Sequence, residues 1–308
     1  MTPLPIHFAP LQGYTGDVYR RIHHRLLGGI SQYYTPFLRM EGGGVRSKDI
    51  RDIHPDFNQG VPVIPQIIAK NMKEFDFLTQ TVEERGYKHI DINMGCPFPM
   101  QAKHGRGSGL LAHVDILEEM ANAIAQKTDI TFSVKMRLGW ENMEEWKPAL
   151  DILNQIPLSH ITLHPRIGTQ QYKGEVCMDS FEEFCSLCKH PLIYNGDLTT
   201  LEGIQAIQQR FPQLAGIMIG RGLLARPSLA VEYQTGKELP WETRRNQLLD
   251  FHEQLKAHYE TTVNSDTQLL NQLRTFWEYM EEELGRKAYK KLMKAGNLKN
   301  YLIAVRDI

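Results

Sequence analysis

The sequence predicts a (β/α)8 TIM barrel followed by a small all-helical region, and three observations carry that expectation. Eight short β-rich runs alternate with helical patterns up to about residue 235, an order that builds parallel βαβ units. A count of eight favours a closed barrel over an open doubly wound sheet. The first run leads into "LQGYTGD", which does not match the G-x-G-x-x-G turn of a dinucleotide-binding open sheet.

The strand candidates, in order, are "IHFAP" (6–10), "ISQYYTPF" (30–37), "VPVIPQIIA" (61–69), "HIDIN" (89–93), "ITFSVKMR" (130–137), "HITLHPR" (160–166), "PLIYNG" (191–196) and "LAGIMIG" (214–220). Between them, "DVYRRIHHRLLG", "NMKEFDFLTQTVEERG", "ILEEMANAIAQK", "EEWKPALDILNQ" and "LEGIQAIQQRF" place apolar residues at three- and four-residue spacing, with glycine or proline near several ends. Beyond the eighth run only helical patterns remain. The expected division is a catalytic barrel over 1–238 and a helical domain over 239–308. A weak partial match, "GRGSGL" at 105–110, follows a Cys-Pro loop rather than a strand and is not a nucleotide fingerprint.

The 308 residues are 42% hydrophobic and 23% charged, an ordinary globular composition with chain enough for a large core. No apolar run approaches the ~20 residues of a membrane-spanning helix. The N-terminus lacks the basic and apolar regions of a secretory signal, so the thiols are expected to be reduced and the protein cytoplasmic. A net charge of -1 argues against a uniformly basic nucleic-acid binder but leaves room for a local basic groove. No obligate protein partner is evident.

In a barrel, inward residues near the C-terminal strand ends form the active site, while the rest of the interior should be bulky and apolar. Polar residues collect at that end. Gln66 lies on the third strand; Asp91 and Asn93 share a face of the fourth, with Cys96 just beyond. The fifth presents Ser133, Lys135 and Arg137; the sixth, Thr162, His164 and Arg166. The seventh ends in Asn195, Gly196 and Asp197, the eighth in Gly220, Arg221 and Gly222. A buried polar group without partners costs ~1–3 kcal/mol, so this clustering calls for a site. Lysine within a buried β-run is rare unless paired, and the amine of Lys135 suits an electron-rich or anionic ligand. The glycines after the last two strands let backbone N–H groups approach an anion, and Arg221 adds charge. These residues describe a barrel enzyme that holds a phosphorylated cofactor or substrate at strands seven and eight.

Cys96 sits in "NMGCP", where glycine and proline shape the turn. A thiol with the ordinary pKa of ~8.5 is mostly protonated at neutral pH and can donate a proton; with a lowered pKa it would be a nucleophile. Cys185 and Cys188 form one C-x-x-C, with Cys177 eight residues before the first of them. A metal site would usually need a second close pair or histidines at ligand spacing, and this spacing fits no such pattern, so no metal site is expected.

In this order, "APLQGYTG", "PQI", "DINMGCP" with its glycine-rich loop, "VKMRLGW", "LHPR", "YNGD" and "IMIGRG" resemble the flavin-dependent tRNA-dihydrouridine synthases over roughly 6–225. The resemblance implies FMN as cofactor, NADPH as reductant and a uridine of tRNA as substrate. It implies that Pro10 and Leu11 line the flavin and Gln66 contacts its ring. Lys135 and His164 would face the pyrimidine edge and ribityl chain, with Arg166 in the family's H-x-R position. Asn195, Gly196, Asp197, Gly220 and Arg221 would hold the phosphate end. Cys96 corresponds to the family's proton donor, with Asn93 beside the substrate. A stacked uridine must be flipped out to reach a flavin. The segment 100–109 then reads as a lid that settles when RNA arrives, with Lys103, His104 and Arg106 placed to clamp phosphates. The helical tail corresponds in position to the family's tRNA-binding domain, and its basic "RKAYKKLMKAGN" nominates Lys290 and Lys291. Other readings are a small-molecule flavin reductase of the same barrel type and an RNA-binding protein without catalysis.

Overall fold

The computed structural model describes residues 2–308. Eight parallel staves form its barrel: β1 (Ile6–Phe8), β2 (Gln32–Tyr34), β3, β4 (His89–Met94), β5 (Thr131–Gly139), β6 (Ile161–Ile167), β7 (Leu192–Asn195) and β8 (Gly216–Ile219). The third stave is split. Val63–Ile64 pairs with β2, and Gln66–Ile67 pairs with β4. Pro65, which has no N–H to donate, separates the halves. Each half faces a different neighbour, so β3 closes the ring, and every pairing around it is parallel.

The predicted runs fall on these staves, and the predicted helices fall between them. They include α1 (Asp17–Leu26), α2 (Met72–Glu83), α3 (Val114–Gln126), α4 (Trp146–Leu153), α5 (Met178–Leu187) and α6 (Leu201–Arg210). Local chemistry sets their starts: Asn71 accepts from the Glu74 N–H at 3.0 Å and Thr200 from the Gly203 N–H at 3.1 Å, each satisfying an orphan donor. After β8 the chain is wholly helical: α7 (Arg221–Ala225), α8 (Leu229–Thr235), α9 (Trp241–Glu260), α10 (Asp266–Trp277), α11 (Glu281–Leu284), α12 (Arg286–Met293) and α13 (Leu298–Arg306). The tail is seated on α1 by aromatic packing. Tyr19 meets Phe251 at 4.8 Å between ring centres, and Phe251 meets Phe276 at 4.9 Å.

Two expectations change. The barrel interior is not polar only at the mouth. At its N-terminal end the Tyr34 hydroxyl lies 2.9 Å from both His7 and His160, and Ser159 lies 3.1 Å from both His89 and His160. Burial pulls these imidazoles down to about 4, 4 and 3 for His7, His89 and His160. Neutral rings whose hydrogen bonds are satisfied by shared hydroxyls can plug a barrel as an apolar layer would.

The segment 100–109 is folded and packed rather than an open glycine-rich loop. Pro99–Ala102 forms a helical turn and Gly107–Ala112 a 3-10 turn, with Gly107, Ser108 and Gly109 buried. Its glycines serve close packing. A Cβ on Gly109 would stand 2.0 Å from the Ala102 carbonyl oxygen, and Gly107, at φ +60, lies against Cys96. Gly109→Val should therefore lower stability by about 3 kcal/mol, because only backbone movement could relieve the overlap. Thermal denaturation checks this; an unchanged melting temperature would restore the flexible-loop reading.

Candidate active site

The C-terminal ends of the staves surround a cavity of about 1140 Å³. Pro10, Leu11, Gln66, Asn93, Cys96, Lys135, His164, Arg166, Asn195, Gly196, Asp197, Gly220 and Arg221 all line it. Strand register brings the polar residues together. In the β4–β5 pairing Asp91 faces Ser133 and Asn93 faces Lys135, and in the β5–β6 pairing Lys135 faces Thr162.

A buried hydrogen-bond chain runs along the floor. Ser133 donates to Asp91 at 2.7 Å, and Gln66 donates to the other Asp91 oxygen at 2.6 Å. Asn93 donates to the Gln66 carbonyl at 2.7 Å. The Asn93 oxygen in turn accepts from the Gly95 N–H at 3.1 Å and the Cys96 N–H at 2.8 Å. Both ends of the Asn93 amide are thus engaged, and its evident part is to hold the Cys96 turn. From the other side, the Ser108 N–H and hydroxyl donate to the Cys96 carbonyl at 3.2 and 2.9 Å. Cys96 is 5% exposed, fixed at both its amide and its carbonyl.

Burial pushes the Cys96 thiol above its ordinary value, against the Phe98 backbone N–H and the charges of Arg137, Lys135 and Arg39. The sulfur is therefore a protonated thiol at neutral pH, which suits an acid better than a nucleophile. Burial likewise raises Asp91 to about 6, against its hydrogen bonds from Gln66 and Ser133 and the charge of Lys135. Burial, then the neighbouring Arg137, pull Lys135 down to about 8. Lys135 makes no hydrogen bond or ion pair among the described residues, so its amine is left for something in the cavity. His164, buried beside Arg137, Lys135, Arg166 and Arg221, is held neutral far below its ordinary value.

At the β6–β8 side the cavity ends in paired arginines. Arg166 donates to both Asp197 oxygens, one at 2.9 Å, and Arg221 donates to Asp197 at 2.7 Å. Burial opposes ionisation of Asp197, but the two guanidiniums hold its carboxyl below the usual range. Asn195 donates to the Met218 carbonyl at 2.8 Å, tying β7 to β8 behind this cluster.

The residues named for RNA contact do not join this assembly. Lys103 is exposed on the turn at the rim and does not line the cavity. Arg106 is only partly exposed and donates to Glu74 at 2.9 Å, which fixes the 3-10 turn to α2. Its guanidinium is engaged within the fold, and sequence alone could not reveal a partner 32 positions away. Lys290 and Lys291 lie exposed on α12 away from the cavity, where Lys291 pairs with Asp307. Of that basic segment it is Arg286 that reaches the cavity, beside Glu278, Glu281 and Glu282.

Two lining residues escaped the sequence reading. Tyr172 lies beneath the Arg221 guanidinium at 4.5 Å and the Arg137 guanidinium at 5.4 Å. Tyr14 meets Tyr279 edge-on at 5.2 Å, bringing the tail to the mouth. Arg137 had given a signal, its inward position on β5; the tyrosines lie in connections with no periodicity to place them.

No group of His, Cys, Asp and Glu that could hold a metal occurs among the described residues. Nor is any described helix long and apolar enough to cross a membrane.

Solved structures share the barrel. The structure of a variant of NCR from Zymomonas mobilis aligns with a TM-score of 0.52 at 13% identity, covering 76% of this chain and 87% of that one. Morphinone reductase aligns at 0.50 and 10% identity, covering 76% and 86%. At such identities the likeness is one of fold. Sequence relatives are more specific. Probable tRNA-dihydrouridine synthase 2 of Bacillus subtilis is 27% identical over 269 residues, 82% of this chain and 76% of that protein. tRNA-dihydrouridine synthase B of Pseudomonas putida is 27% identical over 239 residues, 75% and 69% respectively. A family model described as dihydrouridine synthase (Dus) matches residues 7–306, nearly the whole chain including the tail. The chain belongs to the dihydrouridine synthase family of oxidoreductases.

Proposed function

We propose that the protein reduces the 5,6 double bond of specific uridines in tRNA, with FMN as cofactor and NADPH as electron donor. The observation that carries this reading is Cys96: a buried, protonated thiol clamped at the edge of a large cavity that ends in an arginine pair. The relatives named above are tRNA-dihydrouridine synthases, which supports tRNA as the substrate.

The residues fit a flavin mononucleotide. About 1140 Å³ is room for a tricyclic ring and a pyrimidine together, above the usual range for one small ligand. The Arg166 Nε and the Thr162 hydroxyl are buried without partners, and Lys135 is unpaired; a bound polar group would satisfy such atoms. Arg166 and Arg221, with backbone at Gly196 and Gly220, are suited to the phosphate, and Asn195 holds that end in shape. Pro10 and Leu11 supply an apolar wall. Bound and reduced, FMN would supply a hydride to C6 of the uracil. Lys135 would place its positive charge beside the ring, neutral His164 would donate or accept a hydrogen bond without adding charge, and Cys96 would deliver the proton to C5. The chain itself fixes the Cys96 sulfur through Asn93 and Ser108 so that this proton arrives from one defined position.

Purified protein supplied with FMN, NADPH and unmodified tRNA should form dihydrouridine in the tRNA and leave free uridine largely untouched. Equal turnover of free uridine would instead make this a small-molecule reductase, and no turnover of tRNA would remove the proposal.

A further inference from the structure

A second cavity, of about 310 Å³, opens between the barrel and the tail, and Tyr14 lines both it and the larger one. Its floor includes the buried side chains of Leu255 and Phe276. Tyr19, only 6% exposed, also lines it, and the Tyr19 hydroxyl is buried with no hydrogen-bond partner. Around the opening stand Asn271, Gln272 and Thr275 of α10 and, from the barrel side, Lys48. The floor is apolar, the edge offers amides and hydroxyls, and one ammonium stands at the entrance. Together these match a nucleotide: a heterocycle to pack flat, base-edge donors and acceptors to pair, and a phosphate to meet Lys48.

We infer that this cleft binds a second nucleotide of the substrate RNA, one adjacent in the chain to the uridine that enters the main cavity. The inference rests on the tRNA reading above and deepens it. Tyr14 divides the two cavities, so a strand that drops one base on each side is gripped across the junction of barrel and tail. Neighbouring sequence would then influence which uridine is chosen.

The test compares holoenzyme binding of uridine 5′-monophosphate with that of RNA dinucleotides carrying uridine at either end, read by perturbation of the flavin absorbance. At least one dinucleotide should bind about tenfold more tightly than the mononucleotide, the scale of one packed base. That advantage should fall below about twofold in Gln272→Trp, which fills the cleft, and in Asn271→Leu, which removes its edge. Both residues are exposed on α10, so the fold is retained, and mononucleotide binding in each variant reports it. No dinucleotide advantage in the native protein, the result if the cleft holds only water, would overturn the inference, as would an advantage that survives both substitutions. Failure of the tRNA reading looks different: the mononucleotide would not bind, and tRNA would not reoxidise the reduced enzyme.

Discussion

Cys96→Ala should keep its flavin and its fold yet lose tRNA reduction by on the order of 10²–10⁴, the usual contribution of a positioned acid. The fold survives because the turn is held by backbone groups: Asn93 and Ser108 bond the Cys96 amide and carbonyl, which alanine also carries. What is lost is the sulfhydryl proton held in place at that edge of the cavity. Cys96→Ser separates acidity from shape, because a hydroxyl occupies the same position but gives up its proton far less readily. It should sit close to the alanine variant rather than to the native enzyme. The pH profile follows from the same geometry. Burial raises the thiol above its ordinary value, so the acid form persists across neutral pH. Activity limited by proton delivery should be flat there and fall only in the alkaline range. Dihydrouridine content of tRNA after single turnover, beside the yellow absorbance of the variant, checks both. Full activity in Cys96→Ala would assign the proton to another group.

Why the barrel was legible while parts of the site were not is a matter of range. Eight β-rich runs separated by amphipathic helices leave few ways to bury their faces, and parallel order with a closed ring follows from local pattern. The inward alternation on β5, Ser133-Lys135-Arg137, was legible for the same reason. Its period of two is local. The helical tail was legible too, by the loss of strand pattern after Ile219.

Partners distant in sequence were not legible. Arg106 reads as a free cation until Glu74 is seen beside it, and Lys291 until Asp307 is. The loop 100–109 reads as mobile because glycine permits motion, yet Gly107 and Gly109 are there because Cys96 and Ala102 leave no room for a side chain. Composition cannot distinguish glycine kept for freedom from glycine kept for contact. The histidine plug at the far end of the barrel was hidden likewise. His7 and His160 share the Tyr34 hydroxyl, and His89 and His160 share Ser159, only because separate staves meet there, and one strand's pattern cannot show that. Polar residues inside a barrel therefore mark chemistry only where something is left unpaired, as at Lys135, and not where the hydrogen bonds close on themselves.

Lys135→Met should make the cofactor-free protein more stable and the enzyme slower. Burial and the adjacent Arg137 lower the folded-state value of Lys135 from 10.5 to about 8, with Asp91 and Cys96 opposing the shift only in part. At pH 7 the amine is charged in both the folded and the unfolded chain, and the folded chain carries the cost of that buried charge. Methionine fills similar volume without it, so a gain on the order of 2 kcal/mol is expected. The pH dependence fixes the sign. Between pH 8 and 10.5 the unfolded chain holds a proton that the folded chain has released, so native stability rises with pH across that window through this group. The advantage of Lys135→Met should be full below pH 8 and shrink toward pH 10. Denaturant unfolding of the two cofactor-free proteins at pH 7 and pH 10 measures it. A methionine variant less stable at pH 7 would mean that Lys135 is satisfied within the fold. The same substitution should slow tRNA reduction by about tenfold to a hundredfold, because the ammonium that Lys135 presents to the cavity is lost. A side chain that costs stability in the empty barrel and speeds turnover in the loaded one is placed for its ligand, which is the stability–activity opposition expected of an active-site lysine.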